Sequence, residues 1–381
     1  MEHEINREIL TFLRRHQGQM ADQLTLLIEL ESPTDHKPSL DRLSTYLAAE
    51  LLALGARVET LPQAEAGDHV RARWGEGQGG ALMLCHMDTV WDVGTVAERP
   101  VRIEEGRLYG PGAHDMKGGI VITLWAVRAL RELGLLPAGA VTLLLTSDEE
   151  TGSLTSRSII EAEALKHRLV FVMEPPVPPE GSYKTARKGV GDYRVEVTGR
   201  AAHSGADHAR GINALQELAH QVQAIQDFTD YERGTTFNVG RAGGGTRRNV
   251  VPAEAWAEID VRIVHVAEAE RVEAQMQSLR PHLPGAEVKV TGGFERPPME
   301  RTAEIAALFG RAQDLARGMG LDLSEASTGG ASDGNLTAAL GVPTLDGMGV
   351  VGDGGHAIDE HAVISSLPKR AAILAAMLRG V

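Results

Sequence analysis

The sequence predicts an α/β protein. A discontinuous domain, residues 1–181 and 296–381, holds a mostly parallel sheet between helices, and a smaller α+β domain, a two-layer sandwich, is inserted at 182–295. Three observations predict it. Short continuous apolar runs alternate with helical periodicity up to Glu174, as expected for a parallel sheet covered on both faces. The Pro-rich stretch "PPVPPEGS" then gives way to strands of period-two alternation, which bury one face only. Buried helices and short strands return from "RTAEIAALFGRAQDLARGMG" onward.

The elements follow in order. Leu40, Leu43, Leu47, Leu51 and Leu54 stand at helical spacing, and Gly55 supplies a C-terminal stop. "HVRARW" and "ALMLC" read as strands, and "KGGIVITLWAVRALRELG" as a buried helix closing at Gly134. A strand "AVTLLLTS", a helix near 153–165 and a strand "RLVFVME" complete the first part. In the insertion, "DYRVEVTGRA" and "AWAEIDVRI" alternate with period two, with edges available to a partner chain. Helices near 211–228 and 267–279, the Gly-rich turn "RAGGGTRR" and the strand "AEVKVTG" give a strand-helix-strand-strand-helix-strand order.

Length and composition bound the function. At 381 residues the chain exceeds one ordinary core. A net charge of -14 argues against holding nucleic acid electrostatically. Cys85 is the only cysteine, which excludes an internal disulfide and a cysteine-based zinc cluster. The N-terminus "MEHEINREILTFLRRHQ" lacks an apolar signal core, and no apolar run approaches the ~20 residues that cross a bilayer. These features predict a cytoplasmic protein with no membrane partner.

Chemistry-bearing residues gather where a parallel sheet presents its functional groups, at the carboxyl ends of strands. "ALMLC" runs into His86 and Asp88, "AVTLLLTS" into Asp148, Glu149 and Glu150, and "RLVFV" into Glu174. The loop "YGPGAHDMKGG" carries His114, Asp115 and Lys117, and "GDGGHAIDEH" carries His356, Asp359, Glu360 and His361. Each has a plainer reading. A loop histidine is usually a surface polar residue, adjacent acids suit a helix N-terminus, and Asp115 could be a plain N-cap. Cys85 alternates with His86 along the strand and reads as core. Taken together, His86, Asp115, Glu150, Glu174 and His356 suit two divalent cations sharing one bridging carboxylate. A mixed nitrogen and oxygen set without thiolate fits zinc, cobalt or manganese. Glu149, next to a ligand, is placed to take a proton from water.

The ordered motifs "HMDTV", "YGPGAHDMKGG", "TSDEETGS", "VMEP", "GRAAHSG", "RRNVVPA" and "GGHAIDE" resemble the signature set of the dinuclear zinc aminoacylase and glutamate carboxypeptidase family, over nearly the whole chain. The likeness is greatest to the bacterial folate-cleaving glutamate carboxypeptidases, in "HMDTVW", "YGPG", "DEETGS" and "STGGASDG"; Pro111 also stands where those enzymes have it.

The resemblance implies a catalytic zinc-binding domain with an inserted lid and dimerisation domain. His86 and Glu174 would hold one cation, Glu150 and His356 the other, and Asp115 both, with a cis peptide after Asp115. Glu149 would be the general base, and Asp88 would orient His86 by a hydrogen bond. His203 would reach the partner subunit's site and stabilise the oxyanion, and Asn249 would be a second contact with substrate. Arg262, Arg296 and Thr328 match groups around a substrate carboxylate, a task that suits the arginine fork. A surface ion pair is the alternative for each arginine. Lys184 and Lys188 both fall near the place of a lysine for a glutamate side chain.

The implied activity is cleavage of an amide beside a free carboxylate by a hydroxide held at the two metals, releasing C-terminal glutamate or another amino acid. The substrate would be a small peptide or an N-acyl amino acid. The alternative is an N-acyl-amino-acid deacylase of the acetylornithine or succinyl-diaminopimelate type. A non-catalytic binding relative would have no need of Glu149.

Overall fold

The structure, a computed structural model, describes residues 2–137 and 139–380. Its contacts divide the chain into two units. The larger comprises Met1–Ala186, Arg301–Thr328 and Ser332–Val381, and the smaller Arg187–Glu300 with Gly329–Ala331. The Pro-rich stretch lies inside the larger unit, because the strand that begins at Tyr183 pairs there with Glu325–Thr328.

The larger unit is built on a six-stranded sheet. Its order is Arg57–Leu61, His69–Trp74, Val141–Thr146, Ala81–His86, Leu169–Val172 and Thr344–Leu345. The last three neighbouring pairs are parallel and the first two antiparallel. The inner strands Ala81–His86 and Val141–Thr146 are buried along their whole length, which is why they read as unbroken apolar runs. Cys85 is core, 3% exposed and in contact with the Thr123 hydroxyl. Helix Gly118–Glu132 lies within this core and packs on helix Leu367–Arg379. Two further helices, Glu2–Arg15 and Gln17–Glu29, bury Ile9, Leu13, Leu24 and Leu27. A Cβ on Gly119 would lie 2.1 Å from the carbonyl oxygen of Met173, so only glycine lets this helix approach the strand end that leads to Glu174.

One helix is shorter than its sequence pattern. The stretch near 153–165 is helical only over Arg157–Ala164. Residues before it are held as a turn by Asp148, whose carboxylate accepts from the Thr155 hydroxyl at 2.8 Å and the Ser156 amide at 3.2 Å.

The smaller unit is a four-stranded antiparallel sheet in the order Thr236–Gly244, Glu254–Ile263, Gly189–Thr198 and Glu287–Arg296. Helices Ala214–Gln226 and Ala267–Gln277 follow the strands in the expected alternation, and the first is capped by Asn213, which accepts from the amides of Leu215 and Gln216. Val195, Val197, Ala257, Ile259 and Val261 point into the core. Arg194 and Glu258 pair on the other face at 2.9 Å. The two strands whose alternation suggested free edges are the two central ones. The edges belong to Thr236–Gly244 and Glu287–Arg296. Alternation reports that one face is buried and carries no information about neighbours. Among the described residues no helix is long and apolar enough to cross a membrane.

Candidate metal centre

Parallel pairing sets His86 beside Thr146 and Leu84 beside Val172, so three strands end together. His86 closes its strand, and the turns beyond the three strands deliver Asp88, then Glu149 and Glu150, then Glu174. Turn Ala113–Lys117, with a cis Asp115–Met116 peptide, brings in Asp115. His356 arrives from the C-terminal loop with φ +64, a conformation that costs a residue with a Cβ about 1–2 kcal/mol.

These groups meet. His86 Nε2 lies 3.2 Å from Asp115 Oδ1 and 3.4 Å from Glu174 Oε1. His356 Nε2 lies 3.1 Å from Glu150 Oε2 and 3.5 Å from Asp115 Oδ2. Asp115 thus turns one oxygen to each imidazole. Among the described residues, two sets of three potential ligand atoms lie within 4.8 Å of one another: His86, Glu149 and Glu174, and His86, Asp115 and Glu150.

The donor spacing fits metal ions. Nitrogen and oxygen ligands at ~2.0–2.2 Å from one tetrahedral cation lie ~3.3–3.6 Å apart, close to the separations found. The electrostatics agree. Burial pulls the His86 pKa down, but hydrogen bonds to Asp115, Asp88 and Glu174 outweigh it and hold the imidazole well above its usual value. The hydrogen bond to Glu150 takes His356 up to about 9 against a smaller effect of burial. The carboxylates therefore draw positive charge to the same two nitrogens.

Asp88 meets the first histidine through both its backbone and its carboxylate. The nearest partner of His86 Nδ1 is the backbone carbonyl of Asp88, at 3.0 Å, with carboxylate Oδ1 at 3.5 Å. The carboxylate also accepts from the Thr34 hydroxyl at 2.9 Å and the amides of Glu149 and Glu150 at 3.3 and 3.1 Å. Asp88, fully buried, ties the end of one strand to the turn carrying the next two acids. Burial raises its carboxyl, but the contact with His86 and these N–H and O–H donors hold it below the usual range. On the loop of the shared carboxylate, His114, next to Asp115, is buried and driven down to about 4, chiefly by desolvation.

Five of the remaining candidates, His203, Asn249, Arg262, Arg296 and Lys188, stand in the smaller unit. His203 is exposed, and its Nδ1 accepts from the amides of Gly205 and Ala206, both at 3.1 Å. A neutral ring in that contact carries its proton on Nε2, ready to donate. The strand Ala202–His203 pairs with Val250–Val251, which puts Asn249 beside it. Arg262 is engaged by Asp260, through Nε at 2.9 Å and Nη2 at 2.6 Å, so its fork is already occupied by a carboxylate. Arg296 is buried at the end of its strand. Thr328 ends a strand of the larger unit. Lys184 is buried in the larger unit, whereas Lys188 in the smaller one donates to the Gly234 carbonyl at 3.1 Å.

Comparison with known proteins agrees with this architecture. The chain is 32% identical over 358 residues, 91% of its own length and 85% of the relative's, to carboxypeptidase G2 of Pseudomonas sp. strain RS-16. It is 28% identical over 374 residues to succinyl-diaminopimelate desuccinylase of Leptothrix cholodnii, covering 90% and 94% of the two chains. The fold matches the crystal structure of the aminopeptidase PepT from Bacillus cereus, with a TM-score of 0.76 over 95% of this chain and 98% of that one, at 22% identity. The model of peptidase family M20/M25/M40 matches residues 82–380, and the chain belongs to that family.

Proposed function

We propose that the chain is a dinuclear metal-dependent carboxypeptidase. It hydrolyses an amide beside a free carboxylate and releases C-terminal glutamate or another amino acid. The observation that carries this is the Asp115 carboxylate, which offers one oxygen to the His86 cluster and the other to the His356 cluster. In this reading His86 and Glu174 hold one cation, Glu150 and His356 the other, and Asp115 both. Divalent cations, zinc first and cobalt or manganese as substitutes, supply Lewis acidity there: they acidify water and polarise the scissile carbonyl. Glu149 takes the proton from the attacking water and returns it to the leaving amine nitrogen as the C–N bond breaks. Asp88 keeps the His86 ring in register and the Glu149–Glu150 turn against it.

The reading extends to a homodimer in the cytoplasm. His203 donates Nε2–H to the oxyanion in the partner's site, with Asn249 as a second contact with substrate. Arg296 and Thr328 serve the substrate carboxylate, joined by Arg262 on release from Asp260. The second reading, an N-acyl-amino-acid deacylase, is supported by the 28% identity to a desuccinylase over 90% of the chain.

A panel of peptidyl-, N-aroyl-, N-acetyl- and N-succinyl-amino acids, with zinc- and cobalt-loaded protein, tests both. A carboxypeptidase shows its highest kcat/KM on peptidyl or N-aroyl glutamate, and a deacylase on N-acetyl or N-succinyl substrates. No turnover of any member by fully loaded protein overturns both.

A further inference from the structure

We infer that Glu360 is the positioning residue of the metal site, a single buried carboxylate that clamps together the three loops bearing His86, Asp115 and His356. The inference deepens the function proposed above and rests on it.

Glu360 is 2% exposed. Its Oε2 accepts from Trp91 Nε1 at 2.9 Å and from the Gly112 amide at 2.8 Å. Its Oε1 accepts from the amides of His114 and Asp115, both at 3.0 Å. Its own carbonyl accepts from the Gly110 amide at 3.2 Å. Trp91 belongs to the loop that leaves His86 and Asp88. Gly112, His114 and Asp115 form the loop of the shared carboxylate. Glu360 itself sits four residues after His356, and its amide closes a turn onto the Ala357 carbonyl at 3.1 Å. One side chain therefore joins all three.

The clamp needs these residue types. A carboxylate offers about four acceptor sites, and four N–H donors fill them, so Glu360 has none left for a cation. Its place among ligand-type residues is thus explained without making it a ligand. Gly112 brings its N–H into reach at φ +74, where a Cβ would stand 2.7 Å from Thr89 Cγ2. Only an acid can serve. In Glu360→Gln one oxygen becomes an NH2 group that faces two N–H donors, leaving both unsatisfied. The consequence falls on Asp115 and His356, which must hold their spacing before a cation arrives. Supports of this kind typically change metal affinity or activity 10- to 100-fold.

The experiment uses cobalt(II) alone. Affinity of the full-length chain is measured by competition with a chelating dye, the visible cobalt spectrum is recorded, and the metal-free protein is melted in parallel. Glu360→Gln is expected to bind cobalt ~10- to 100-fold more weakly, with an altered spectrum. A lower melting temperature with cobalt affinity and spectrum unchanged would mean a purely structural role and overturns the proposal. Should Glu360→Gln not fold, Trp91→Phe removes one of the four donors and keeps an aromatic, though smaller, ring in its place. It is expected to weaken cobalt binding about 2- to 10-fold, and unchanged affinity overturns the clamp. A wild-type chain that binds no cobalt refutes the metal site itself, and the clamp with it. A wild-type chain and a folded Glu360→Gln that bind two ions equally refute the clamp alone.

Discussion

Glu217→Gln should destabilise the smaller unit, and the loss should depend on pH in a defined direction. Glu217 is fully buried on helix Ala214–Gln226. It accepts from the His282 amide at 2.9 and 3.0 Å, the Leu283 amide at 2.6 Å and Gln221 Nε2 at 2.6 Å. The carboxylate thereby pins the turn that enters strand Glu287–Arg296. Glutamine has the same shape but one oxygen fewer: with its NH2 in the Oε1 place the remaining oxygen keeps both backbone amides, and the buried Nε2 of Gln221 meets an NH2 group instead of an acceptor. Leaving a buried donor unsatisfied costs ~1–3 kcal/mol, and the surviving bonds lose their charge assistance, so a total of about 2–3 kcal/mol is expected at pH 7.

The sign follows from the folded state. Burial raises the Glu217 carboxyl, but the N–H groups of Leu283, His282 and Gln221 together hold it below its usual value. A folded pKa below the unfolded one, ~4.3, gives stability that is complete above pH ~5 and lost as pH falls through the folded value. Glutamine does not titrate. The gap between wild type and variant should stay level from pH 8 to ~5 and narrow below ~4. Urea unfolding by circular dichroism measures it, with amide exchange in Gly189–Thr198 reporting the smaller unit. A gap under ~0.5 kcal/mol at pH 7, below the range for a lost buried bond, or one that widens on acidification, refutes the reasoning.

Three further outcomes are expected. Glu149→Gln should lose at least ~100-fold in kcat while metal analysis finds full occupancy; retention of a tenth of the activity would remove Glu149 as the base. His86→Ala and Glu174→Ala should each retain one cation per subunit and Asp115→Ala none, because an end ligand serves one ion and a bridge two; atomic emission on dialysed protein counts them. Finally, inactive Glu149→Gln subunits mixed with inactive His203→Ala subunits should regain activity once they exchange, since one mixed site then has both groups; exchange without recovery shows that His203 does not act in trans.

The site was more legible in the sequence than its supports. His86, Glu150 and Glu174 follow short unbroken apolar runs that end abruptly in polar residues, and Asp115 and His356 stand in Gly-rich loops with few other tasks. What escaped depends on contacts across long stretches of chain. Asp88 accepts from Glu149 and Glu150, some sixty residues on, and nothing local distinguishes Glu360 from the adjacent Asp359 and His361. Strand order escaped for a similar reason, since the burial of one face is silent about edges. The pairing of Arg262 with Asp260 could have been read, because residues two apart on a strand share a face.

The lone thiol has a practical consequence. Burial pushes Cys85 up to about 12. At pH 8 only ~10⁻⁴ of such a thiol is the reactive thiolate, and the core also shuts out reagents. Maleimides and nitroxides should pass it by. A cysteine introduced at any exposed position then becomes a unique attachment point, with no need to remove the native residue. Two such positions would give a background-free pair of spectroscopic labels.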